Sequence, residues 1–97
     1  MQHHTQVLNT LFLDHPPPEW NTWIQALWWD AKGDWDHAHE LVDGPMDAIS
    51  AHIHAYIHRK EGDEWNAGYW YRKAGKSPFK GSLSEEWEHL VNAYFEK

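Results

Sequence analysis

A glycine–aspartate pair occurs twice in this chain, each time between two stretches with helical periodicity. Gly33-Asp34 lies in "AKGDWDHAHELV", and Gly62-Asp63 lies in "RKEGDEWNAGYW", 29 positions further along. Glycine adopts the left-handed conformation that ends a helix, and aspartate accepts a hydrogen bond from the first turn of the next one. Each pair therefore predicts a tight connection between two helices, and the chain is expected to fold as helical hairpins.

Apolar residues recur at helical spacing through most of the sequence, and no segment alternates convincingly with period two. A proline suits the first turn of a helix, so the first helix is expected to begin near Pro18 and the third at Pro45, with Met46 on it. Ser82 and Glu85 form a capping-box pattern for the last helix. The predicted fold class is all-α, with about five helices: hairpin one at about 18–43, hairpin two at about 45–75 and a capping helix at about 83–96.

The N-terminal segment carries a short apolar pattern that is separated from the first hairpin by three prolines. The pattern is formed by Val7, Leu8, Leu11 and Phe12. Either a short helix or an apolar arm folded over the bundle fits it, and the short helix is preferred.

A chain of 97 residues has the usual size of one folding unit, so residues 1–97 are expected to form a single domain. Cysteine is absent, which excludes disulfides and thiolate metal clusters.

The second Gly-Asp unit resembles the helix-turn-helix unit of tetratricopeptide and Sel1-like repeats. The residues that carry the resemblance are Gly62, Asp63, Ala67, Tyr71, Ala74 and Pro78, with the ending "YWYRKAG". The likeness extends over about 20–78, most specifically over the turn and second helix of each unit. The chain also resembles small uncharacterised bacterial proteins with a segment of the form HAYxHRxEGDxxNAxYWYRxAG. The repeat resemblance implies a protein-interaction surface.

The charge is negative overall and uneven along the chain. The net charge of −7 argues against nucleic acid as a partner, since phosphate binding needs basic surface. Residues 1–58 carry −7, residues 59–80 carry +3 and residues 81–97 carry −3, which favours a protein partner or self-association between the acidic and basic parts. No stretch is long and apolar enough to span a membrane, and no secretory signal is present. A cytoplasmic protein is expected.

Two of the nine histidines have the spacing of a metal-binding pair. His54 and His58 lie four residues apart on a predicted helix, so their rings converge on one side, as in zinc or nickel sites. A third ligand is not fixed by spacing; His37, Glu40 or Asp36 would join only through tertiary contacts. The alternative, which the sequence favours, is that both histidines pack in the hairpin and bond to a Trp N–H or a backbone carbonyl.

Catalytic motifs are weak in this sequence. His39 and Glu40 begin an HExxH-like pattern, but Asp43 stands where its second histidine belongs. No nucleophile set and no glycine-rich phosphate loop is recognisable. The sequence therefore leans away from an enzyme and implies no cofactor, and a histidine-based metal-binding protein or metal-dependent hydrolase is the alternative to an interaction module.

The tryptophans have two interpretations. Core spacing is predicted for Trp23, Trp28, Trp35, Trp65, Trp70 and Trp87. Successive helix residues are about 100° apart, so adjacent aromatics cannot all face inward. Surplus aromatics at the surface mark partner-binding sites. The predicted interaction surface comprises Trp29, Tyr69, Trp70, Arg72 and Lys73.

Overall fold

The computed structural model describes residues 3–97, and within them it is all-helical, without a β-strand. This confirms the predicted fold class. The helices are α1 (His4–Leu8), α2 (Thr22–Ala31), α3 (Trp35–Asp43), α4 (Ala48–Lys60), α5 (Glu64–Ala74) and α6 (Leu83–Tyr94). Hairpin one is formed by α2 and α3, hairpin two by α4 and α5, and α6 follows as the C-terminal helix.

Both Gly-Asp turns form as predicted. Gly33 and Gly62 have φ angles of +94° and +88°, the left-handed region that glycine adopts without strain. Asp34 caps α3 by accepting from the backbone N–H of His37 at 3.0 Å. Asp63 caps α5 in the same way, accepting from Asn66 at 3.2 Å. The Ser82–Glu85 capping box is also present at the start of α6.

Two helix starts differ from the prediction. The first hairpin begins at Thr22 and not near Pro18, because the Asn21 side chain caps it by accepting from the Ile24 N–H at 2.8 Å. The second hairpin begins at Ala48, because Asp47 caps it at Ser50. A capping side chain satisfies the free amides of the first turn, so it sets the start more strongly than a proline upstream. Met46 consequently lies outside the helix and is 95% exposed.

The N-terminal segment is a short helix followed by turns. Within α1, Val7 is fully buried in the main core. Leu11 comes after the helix and packs against that core, whereas Phe12 is 81% exposed. The helix is anchored to α6, because the Asn92 side-chain oxygen accepts from the backbone N–H of His3 at 2.6 Å. The preferred prediction of a short helix is confirmed for the first half of the apolar pattern.

Each helix from α1 to α4 packs against the next one along the chain, and α4 is the centre of the arrangement. It contacts α2, α3, α5 and α6, whereas α3 and α5 pack on it without packing against each other. A cleft therefore separates α3 from α5, and α4 forms its floor. None of the helices in residues 3–97 has the length and apolar character needed to cross a membrane. The largest fully buried apolar side chains are Trp28, Ile24, Leu27, Ile53, Ile57 and Leu90.

Two buried carboxylates tie the helices together. Glu86 on α6 is fully buried and accepts from Arg59 Nη1 at 2.8 Å and from the Tyr71 hydroxyl at 2.5 Å. Asp30 on α2 is 2% exposed and accepts from Lys60 Nζ at 2.9 Å and from the Tyr56 hydroxyl at 2.7 Å. Two of the six basic residues in 59–80 are thus paired within this chain, which reduces the positive charge that the segment offers to a partner.

We expect the substitution Glu86→Ala to destabilise the protein by about 3 kcal/mol, since removing one partner of a buried pair leaves the other charge without compensation. Tyr71 would also lose its buried acceptor. Urea unfolding followed by circular dichroism measures the effect. Glu88→Ala is the matched control, because Glu88 lies two residues away with a 47% exposed side chain, and it should change stability by less than about 0.5 kcal/mol. Equal effects of the two substitutions would contradict the assigned role of Glu86.

Candidate functional site

Three histidine rings meet in the cleft above α4. His54 and His58 project from successive turns of α4, and His39 reaches them from α3. One ring nitrogen from each residue lies within 4.8 Å of those from the other two. The closest approach is 3.0 Å, between the Nε2 atoms of His54 and His39. We call this group the histidine cluster.

Two tryptophans enclose the histidine cluster. Trp35 on α3 stacks on His39 with ring centroids 4.8 Å apart and meets His58 edge-on. Trp70 on α5 stacks on His54 at 4.0 Å. The Trp35 indole N–H donates to the Ile57 carbonyl at 2.9 Å, which fixes the orientation of that ring. The histidines therefore sit in an aromatic enclosure that limits both water access and ring movement.

His54 is an incompletely satisfied buried group. Its residue exposure is 1%, and its Nδ1 atom has no hydrogen-bond partner in residues 3–97. Its Nε2 atom has one hydrogen-bond partner in residues 3–97, His39, and one imidazole N–H there donates to the other ring. A buried polar atom without a partner costs about 1–3 kcal/mol, so such atoms are uncommon unless they serve a function. Burial, reinforced by His39 and His58, lowers the pKa of His54 to about 4, which keeps the ring neutral at neutral pH.

His58 is oriented by a carboxylate. Its Nδ1 atom lies 3.1 Å from Glu61 Oε1, and an ionised carboxylate only accepts, so Nδ1–H is the donor. The Nε2 atom then carries the lone pair. Asp63 lies 4.0 Å from the same Nδ1 atom, but its oxygens already cap α5. A carboxylate behind a histidine is the usual second contact of metal-binding imidazoles, because it selects the tautomer and strengthens the ligand.

The histidine cluster has the composition and spacing of a transition-metal site. In a tetrahedral zinc site with Zn–N bonds of 2.0–2.1 Å, two ligand nitrogens lie about 3.3 Å apart. The closest two nitrogens, 3.0 Å apart, are already near that spacing, and all three lie within 4.8 Å of one another. Neutral imidazoles are good ligands for zinc, nickel and copper. The arrangement can therefore hold one divalent ion between hairpin one and hairpin two.

The sequence identified two of the three histidines. His54 and His58 do converge, and both are buried, as the packing alternative also expects. Within residues 3–97, neither bonds to a Trp N–H or a backbone carbonyl, the partners predicted for that alternative. The third member, His39, was not predicted. The candidates named for that position lie on the same helix but are exposed outside the cluster: His37, Glu40 and Asp36. The overlooked signal is the spacing of His39 and Asp43, which matches that of His54 and His58 on the neighbouring helix.

The predicted interaction surface divides into separate parts. Tyr69 is 37% exposed on α5, and Arg72 and Lys73 are exposed beside it. Lys73 Nζ lies 5.8 Å from the Tyr69 ring centroid. Trp70, half-buried, belongs to the wall of the histidine cluster. Trp29 lies on α2 in another region, where it stacks on His37 at 3.9 Å.

The prediction that all six tryptophans at core spacing are buried is wrong for Trp65. It is 75% exposed and stacks on Tyr69 at 6.3 Å, because the buried face of α5 is formed by Ala67, Tyr71 and Ala74. Two positions before Ala67 corresponds to a rotation of about 200°, so Trp65 points away from α4. Trp28 and Trp87 are buried, whereas the remaining tryptophans of that set are partly exposed: Trp23, Trp35 and Trp70.

No protein-family model matches this chain, and comparisons with the curated proteins and with the solved structures find no match.

A pair of substitutions on α4 tests whether His54 is a stabilising packing residue. His52 is also buried, but its Nδ1 atom bonds to the Tyr94 hydroxyl at 2.7 Å. We expect His52→Leu to cost about 1–2 kcal/mol, because it removes that bond and leaves the hydroxyl unpaired. His54→Leu should cost less than about 0.5 kcal/mol or stabilise the protein, because it removes an unsatisfied buried group. The free energy of unfolding is measured with a chelator present. A larger loss of stability for His54→Leu than for His52→Leu would show that the role of His54 is structural.

Proposed function

We propose that this protein binds one divalent transition-metal ion, zinc or nickel, through His39, His54 and His58. The observation that carries the proposal is the convergence of three imidazole nitrogens within 4.8 Å on two adjacent helices. One further feature supports it: Glu61 lies 3.1 Å from His58 Nδ1, which leaves the lone pair of that ring on Nε2.

Metal binding at this position would connect the hairpins. His39 belongs to α3 of hairpin one, and the other two ligands belong to α4 of hairpin two. A ligand that binds only the folded state stabilises it, by about 2.7 kcal/mol when the free ion is at 100 times its Kd. The ion would thus strengthen the contact between the two hairpins, which are otherwise joined by side-chain packing and by bonds such as the Lys60–Asp30 ion pair.

Titration calorimetry on protein prepared without an affinity tag tests the proposal. We expect one Zn²⁺ or Ni²⁺ per chain, a higher melting temperature in the presence of the ion, and an affinity at least about 100-fold weaker for His39→Gln and His58→Gln, since loss of a ligand exceeds the effect of losing an outer contact. His37→Gln is the matched control, because His37 lies on the same helix with a 44% exposed side chain. Absence of stoichiometric binding by the unmodified chain, or equal binding by all variants, would refute the proposal.

A second function is favoured by a different observation, the exposed aromatic strip on α5. This strip consists of Trp65, Tyr69 and Lys73, which lie one helical turn apart in sequence. Large exposed aromatic side chains beside basic ones are typical of protein-binding surfaces. We infer that the strip binds a protein partner or a second copy of this chain, in keeping with the resemblance of hairpin two to tetratricopeptide and Sel1-like repeats.

Light scattering at low salt over a range of concentrations separates these two partners. Self-association would give a mass above 11.5 kDa that falls when Trp65 and Tyr69 are both replaced by Ser. The control is Phe12→Ser, which removes an equally exposed apolar side chain elsewhere. A monomer at every concentration excludes a second copy as the partner. A protein partner is then tested by recovery from lysate. If the unmodified and substituted chains recover the same proteins, the strip is excluded as a binding surface.

A further inference from the structure

Asp43 lies at the open side of the histidine cluster. Its Oδ1 atom is 3.9 Å from His54 Nε2, the nitrogen that also faces His39. It is the last residue of α3, one turn after His39, so both side chains leave the same face of that helix. The two helices therefore present matching pairs, His39 with Asp43 and His54 with His58.

We propose that Asp43 is the fourth ligand of the metal ion and closes the coordination shell. This inference rests on the proposed metal-binding function and extends it, because it determines the type of site. A catalytic zinc has three protein ligands and an open position for water, whereas a structural zinc has four protein ligands. Three histidines and one aspartate would make this a closed centre, which holds the hairpins together and leaves no position for a hydrolytic water.

The state of the Asp43 side chain fits this role. Its carboxylate is 59% exposed and accepts no side-chain hydrogen bond in residues 3–97, so no contact has to be broken when it turns toward an ion. Moving Oδ1 from 3.9 Å to about 3.3 Å from His54 Nε2 gives tetrahedral ligand spacing. A carboxylate would also offset part of the charge that a divalent ion brings into a half-buried cleft.

The other nearby carboxylates do not compete for this position. Glu61 and Asp63 both approach Nδ1 of His58, which is the side of that ring turned away from the lone pair on Nε2. Asp63 is in addition held at the start of α5, where it accepts from the backbone and the side chain of Asn66. Asp43 alone among these three acids approaches His54 Nε2.

Two charge-matched substitutions on α3 test the assignment. Asp43→Asn and Glu40→Gln each remove one negative charge from the same helix, but Glu40 is exposed and outside the cluster. We expect the Kd for Zn²⁺ to rise about 10–100-fold in Asp43→Asn and less than about 3-fold in Glu40→Gln. Equal effects of both substitutions would show that Asp43 acts only through its charge and would overturn the assignment.

Cobalt substitution gives a second readout that does not depend on affinity. Co²⁺ bound to the unmodified chain should show the intense visible bands of four-coordinate cobalt, and added azide should leave them unchanged because no position is open. In Asp43→Asn the bands should weaken and respond to azide. A response of the unmodified chain to azide would overturn the closed site and leave an open three-histidine centre. Failure of the unmodified chain to bind Co²⁺ or Zn²⁺ would instead refute the proposed metal-binding function itself.

Discussion

The burial of α4 is the constraint on which the rest of the structure depends. Nine consecutive residues, Ser50 to His58, are buried, so this helix has no face turned to water over more than two turns. Helices of a soluble domain normally bury one stripe and expose the other. Here four other helices pack around α4. Each polar side chain on that helix must therefore find its partner inside the protein.

The partners of these polar residues differ in kind, and the difference distinguishes His54 from the others. Ser50 bonds to the Asp47 carboxylate, and His52 bonds to the Tyr94 hydroxyl. Within the described part of the chain, His54 bonds only to another imidazole through Nε2, and its Nδ1 atom has no hydrogen-bond partner. Since the same helix satisfies its other buried polar groups, the incomplete pairing of His54 marks a local departure from the general pattern. Such departures concentrate at binding sites, where stability is given up for function.

Local signals in the sequence were sufficient to predict the hairpins, but not to predict which side chains are exposed at the surface. Gly33, Asp34, Gly62 and Asp63 determine their turns through contacts within a few residues, so their roles could be predicted from spacing. Trp65 could not be placed in this way, because its direction depends on which face of α5 meets α4. That face is set by the small residues of α5, which permit close approach, and not by its largest aromatic.

The histidine cluster could be predicted only in part, for the same reason. The separation of His54 and His58 on one helix fixes their convergence, whereas the approach of His39 depends on how α3 packs on α4. The segment "HELVD" does not match a catalytic zinc motif, because an aspartate stands where the second histidine belongs. In the folded chain that aspartate lies beside His54, because the packing of α3 on α4 brings Asp43 Oδ1 to 3.9 Å from His54 Nε2. In the proposed four-ligand centre, the aspartate that removes the catalytic pattern is the fourth donor. Such a closed centre would stabilise the junction of the two hairpins without an open position for a substrate.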